Sequence, residues 1–152
     1  MSAVRPTSRA TEVLATLLRE LHADRSGYAR LRELLEAQFQ AALRHQSEVL
    51  AGLAEDIVAL VEQLDGRSRQ RGSMLKQLLG NGPDRGAEPS MSALLQRLPA
   101  AVAQTLGTAW LALEQQVREC KALNQRNCHL ITEQHALMQR VLGVEEVFYA
   151  ER

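Results

Sequence analysis

At 152 residues and 45% hydrophobic, the chain can build one domain with a real core and is too short for two ordinary ones; at 3% aromatic, that core must be aliphatic. Lys and Arg balance Asp and Glu at 18 each, which argues against nucleic acid or an anionic membrane as the main target. No apolar run reaches the roughly 18 residues of a membrane helix, and Met1 to Thr11 lacks the apolar stretch of a signal peptide, so a cytoplasmic chain without membrane insertion is expected.

Residues 1–7 read as a loose N-terminus, with Pro6, Thr7 and Ser8 offering a start and caps for a helix and Glu12 placing negative charge in its first turn. That helix carries Val13, Leu14, Leu17, Leu18, Leu21, Tyr28, Leu31, Leu34, Leu35, Phe39, Ala42 and Leu43 on one face, and it crosses Ser26 and Gly27 without losing phase, so one long helix with a kink at Gly27 is expected, a short break being the alternative. The rhythm lapses at Arg44 to Gln46, and Ser47 followed by Glu48 opens a second helix with Leu50, Leu53, Ile57, Leu60, Val61 and Leu64. Its stripe resumes at Leu75, Leu78 and Leu79 after a polar run in which Arg67, Arg69 and Arg71 read as a solvated face. Residues 80–90, dense in glycine and proline, form a flexible loop without the spacing of a phosphate cradle. Ser90 or Ser92 then caps a short helix through Leu98, which Pro99 terminates or follows with the next.

The last helix spans Ala101 to Leu142, with Gly143 as its stop and 143–152 as a tail. Alternating steps of four and three from Leu106 give Trp110, Leu113, Val117, Cys120, Asn124, Asn127, Ile131, Gln134, Met138 and Val141, a coiled-coil seam. Asn124 and Asn127 interrupt it, and their expected role is structural, hydrogen-bonding neighbouring helices and setting register. A helix this long needs partners along most of its length, which the first two helices supply. The expected fold is all-α, an antiparallel bundle of three long helices with coiled-coil packing, one short extra helix and a flexible C-terminal tail.

Little here points to chemistry. Cys120 and Cys128 have no CxxC spacing, and His22, His45, His129 and His135 form no metal-binding pair. The carboxylates show no paired acid and base, and no nucleophile stands beside a base. Neither an enzyme, a metal nor a cofactor is expected. What remains is an apolar surplus, since Leu130, Leu137 and Leu142 lie outside the seam and an apolar tail follows. Either these residues close the bundle's end, or that end projects and receives another protein's helix.

The segment Leu123-Asn124-Gln125-Arg126-Asn127-Cys128-His129-Leu130-Ile131 resembles the signature of FlgN-type flagellar export chaperones, an N-x-x-N-G-x-L-I-like element on a long C-terminal helix. Trp110 to Leu113, the Leu-rich first helix and the stretch Arg71 to Gly80 are similar to that family too, while Cys128 stands where the family usually has glycine. The resemblance implies a chaperone that binds the C-terminal helical segments of the hook-filament junction proteins FlgK and FlgL, prevents their premature assembly and delivers them to the flagellar type III export apparatus. It implies a cargo surface from Leu130 onward, comprising Leu130, Ile131, Leu137, Met138, Val141, Leu142, Val144, Val147 and Phe148, with Tyr149 as a contact to the export gate. Two alternatives stand beside it: a coiled-coil scaffold that self-associates into a homo-oligomer, and a sibling chaperone of the FliT type serving the filament cap protein.

Overall fold

The computed structural model describes the backbone of residues 4–80 and 90–150 and the side chains of 9–80 and 90–144. Four helices in the order α1 (Val4–Leu43), α2 (Ser47–Leu79), α3 (Met91–Arg97) and α4 (Ala100–Ala150) account for the described secondary structure, so the fold is all-α.

α1 and α2 form an antiparallel hairpin closed by three residues. His45 takes a positive φ of 54°, the Gln46 amide donates to the Ala41 carbonyl, and the His45 amide donates to that of Ala42. These are the paired bonds of a Schellman stop, here without the usual glycine. α3 begins at a cap, because the Ser90 hydroxyl accepts from the Ala93 amide at 3.1 Å. The helix then ends before Pro99, whose carbonyl accepts the Ala103 amide in the first turn of α4.

α1 is the central element. Both α2 and α4 pack along it, whereas α2 and α4 make no close backbone approach to each other among the described residues. The α1 to α4 contacts join residues separated by 91 or 92 positions from one end to the other, Arg25 with Gln116, Tyr28 with Cys120, Leu35 with Asn127 and Ala42 with Gln134, so the two helices run parallel in constant register. The arrangement is a hairpin plus one parallel helix on its first arm. α2 therefore meets α4 through long side chains, Arg71 on Trp110 among them, and not by close backbone packing: α1, with Leu34 and Ala41 buried beside its main stripe, is wide enough in apolar surface to face both neighbours.

Each long helix contributes a heptad stripe stepping three then four. On α1 it is Leu14, Leu17, Leu21, Asp24, Tyr28, Leu31, Leu35, Gln38 and Ala42; on α2 it is Leu50, Leu53, Ile57, Leu60, Leu64, Arg67, Arg71, Met74 and Leu78. On α4 it is Leu106, Ala109, Leu113, Gln116, Cys120, Leu123, Asn127, Leu130 and Gln134, none of them exposed. The seam expected from the sequence therefore shares every seventh residue with the real one, and is one residue late at the positions between. Trp110, Val117, Asn124 and Ile131 flank the contact, because the α1-facing stripe needs the three-residue step from Leu106.

Two buried clusters follow. Leu17, Leu21, Leu75, Met91, Leu94, Leu106, Ala109 and Leu113 gather where α3 bridges α2 and α4, and Leu31, Leu35, Leu64 and Cys120 gather further along. Gly27 does not break α1. It lets α2 approach, since a Cβ there would lie 2.7 Å from Leu64 Cδ2.

Both expected ends are corrected. α1 starts at Val4, within the stretch read as loose, because proline is tolerated in a first turn. α4 runs through Gly143 to Ala150 in place of a tail from 143, since Gly143 keeps a negative φ and an interior glycine costs only about 1 kcal/mol. The loop expected at 80–90 begins with Gly80, whose φ of 63° ends α2; positions 81–89 lie outside the described residues.

Candidate functional site

The run from Asn124 to Asn127 has a divided role. Asn127 is 1% exposed, and its Nδ2 donates to the Leu35 carbonyl at 2.7 Å and to Gln38 Oε1 at 2.8 Å. Its Oδ1 accepts from Arg126 Nε and Nη2 at 3.2 and 3.1 Å. Arg126 in turn reaches Glu36 at 3.3 Å and lies 3.8 Å over the Phe39 ring. The amide is thus fully satisfied at the α1 contact. Asn124 is different: it is exposed and stands beside the seam, where its Oδ1 faces Cys128 Sγ at 3.9 Å. Only one of the two asparagines enters the seam, because they are three apart and the real stripe passes from Leu123 to Asn127.

A second polar insertion was missed by sequence reasoning. Asp24 is buried on α1, where Arg71 Nη1 of α2 donates to its Oδ2 and Arg67 Nη1 lies 3.7 Å from its Oδ1. Arg71 also stacks 5.2 Å from the Trp110 ring of α4, tying three helices together. Arg67 and Arg71 are therefore not a solvated face; Arg69, paired with Asp65 at 3.3 Å, is. Burial pushes the Asp24 carboxyl above its ordinary range although Arg71 and Arg67 pull the other way. The available signal was the heptad step itself, which places Asp24 between Leu21 and Tyr28.

Cys120 is buried with its thiol raised by burial, and its Sγ lies 3.5 Å from the Tyr28 carbonyl; Cys128 is exposed. His129 meets Glu133 at 3.1 Å on the surface. Among the described residues, no three His, Cys, Asp or Glu side chains gather as metal ligands would, and no helix is long and apolar enough to cross a membrane.

Two open apolar surfaces stand out among the described residues. The first is the end of α4. Gln134 Nε2 donates to the carbonyl of Ala42, one residue before α1 stops, so α4 from 135 onward extends past the hairpin by about 24 Å at roughly 1.5 Å per residue. On it Leu137, Met138 and Val144 are 61, 58 and 70% exposed, and Val141 and Leu142 are about half exposed. Leu130 is half-buried at the seam and Ile131 lies at its edge, both before the extension. Val147, Phe148 and Tyr149 occupy the last turns of α4, with side chains outside the described residues. The second surface is a trough between α2 and α4, about 270 Å³ in volume, floored by Tyr28, Leu31 and Leu35 and walled by Val61 and Leu64 on one side and Val117 and Asn124 on the other.

Against known families, residues 13–144 match the FlgN protein family, from the first apolar turns of α1 to the exposed residues of the α4 extension. The chain belongs to the FlgN family. Neither a curated protein nor a solved structure matches it. Family membership makes this FlgN chain a flagellar export chaperone in general terms, one that binds flagellar export substrates. In this FlgN chain, the matched stretch takes in both open surfaces.

Proposed function

We propose that this FlgN-family chain is a cytoplasmic, non-catalytic chaperone for the hook-filament junction proteins FlgK and FlgL. Their C-terminal helical segments dock on the α4 extension, which keeps them from assembling early and carries them to the flagellar type III export apparatus. The observation that carries this reading is the extension itself: α4 continues its apolar stripe through Leu137, Val141 and Val144 after α1 has ended. A helix of that length is marginal in water by itself, so a partner helix that replaces α1 along the stripe stabilises both. Burying each exposed Leu, Met or Val contributes on the order of 1.5 to 3 kcal/mol. Lost freedom on association offsets much of that sum, which keeps release possible without chemistry. Tyr149, on the last turn of α4, is the proposed contact to the export gate.

Calorimetry with a C-terminal fragment of a junction protein tests the assignment. Binding at micromolar concentration is the expected result; no heat at that concentration refutes it. A fragment of the filament cap protein that competes on equal terms would move the assignment to the FliT-type cargo.

A further inference from the structure

We infer that the cargo helix does not end on the α4 extension but continues into the trough between α2 and α4, packing there as the missing fourth helix of the bundle. This rests on the reading above that an amphipathic cargo helix docks on α4.

The trough already holds a helix at one end. α3 packs against both α2 and α4, and Leu95 lies within 3.8 Å of where a Cβ on Gly107 would be. Under α3, the α2 wall presents Leu75 and the α4 wall presents Trp110. Stepping by heptads away from α3, the α2 wall continues through Ser68 and Val61, and the α4 wall through Val117, Asn124 and Ile131 to Met138. The α4 line is therefore one continuous edge from the α3 contact to the extension. From Val117 to Met138 it measures about 32 Å at roughly 1.5 Å per residue, the length of a six-turn helix. The edge flanks the α1-facing seam and is left over by it, which is where a further helix packs in a bundle.

The walls also constrain the occupant. Asp65 stands on the α2 side and Lys121 on the α4 side, both lining the trough. Asp65 is already paired with Arg69, which leaves Lys121 as the charge to be met: a cargo helix that shows an acidic edge to α4 fits, and one turned end for end, which carries that edge to α2, does not. Asn124, exposed in the middle of an otherwise apolar edge, calls for a polar cargo residue opposite it, which sets register.

Trp110, the single tryptophan, lies at the far end of the trough and reports its filling. The full chain would be titrated with a tryptophan-free C-terminal fragment of a junction protein, following both heat and fluorescence. We expect Trp110 emission to shift to the blue in step with the heat as the trough loses water. Val61→Asp, at a position 45% exposed, should weaken binding about tenfold or more with helicity unchanged. A photocrosslinker placed at Val61 should capture the fragment, and it decides the matter should Val61→Asp lose its fold. If the fragment binds while Val61→Asp stays within about twofold of the parent and the crosslinker captures nothing, the trough is empty and this inference fails while the extension keeps its role. If the fragment does not bind the parent chain at all, both fall together.

Discussion

Residue by residue, the polar groups set into apolar stripes decide how the helices are registered. Asn127 fills a seam position and spends its whole hydrogen-bonding capacity on α1 and on Arg126. Asn127→Ala strands the Leu35 carbonyl's extra bond and leaves Gln38 without its donor, so urea denaturation should show a loss of about 2 to 3 kcal/mol. Exposed Asn124→Ala should stay within about 0.5 kcal/mol. Equal losses would mean both amides work at the seam. Asp24 offers a test by pH. Its carboxyl titrates above the ordinary 3.8, chiefly through burial, so the folded chain holds the proton more tightly than the unfolded one. Its contribution to stability is therefore fully present below 3.8 and is lost as pH rises from there through the folded value. The unfolding free energy of the parent relative to Asp24→Asn should fall over that window; a rise would mean that Arg71 and Arg67 outweigh burial.

At the scale of elements, the α1 to α2 turn and the two helix ends show how weak local signals are overruled or used. The lapse at Arg44 to Gln46 is legible because apolar spacing and a new N-terminus coincide there. The turn nevertheless closes with His45 in the left-handed region, a conformation that costs a side chain roughly 1 to 2 kcal/mol. His45→Gly should therefore raise stability by up to about 1 kcal/mol, read as a higher urea midpoint with an unchanged slope. An unchanged or lower midpoint would show that the imidazole contributes there. From sequence alone Gly27 marks a kink within one long helix, a short break being the alternative, and Gly143 marks a stop. Each lies inside a helix, because an isolated glycine with negative φ lacks only a side chain, and at Gly27 that lack is what admits Leu64.

For the molecule as a whole, α1 holds α2 and α4 on separate faces, which leaves a trough between them and an unpaired stretch of α4 beyond the hairpin. The described side chains on that stretch, Leu137 to Val144, belong to no buried cluster, and this separates binding from folding. Leu137→Asp combined with Met138→Asp should weaken a junction-protein fragment at least tenfold by calorimetry while circular dichroism and the urea midpoint stay near those of the parent. Loss of the fold instead would assign these positions to the core, in conflict with their 61 and 58% exposure.

The sequence by itself determined the helical class, the aliphatic core, the hairpin break, a serine cap at 90 or 92 and, through the motif around Asn127, the family. All of these depend on local spacing or on composition, which a linear reading preserves. The tertiary structure decided which stripe of α4 faces α1, because both heptad alternations from Leu106 contain apolar residues and only packing selects between them. It also decided that Arg67 and Arg71 turn inward, since the buried acid they meet lies more than forty residues away on another helix. The extension of α4 depends on where α1 stops relative to Gln134, a register set by side-chain contacts between distant segments, and it is this register that turns an apolar surplus into an exposed surface.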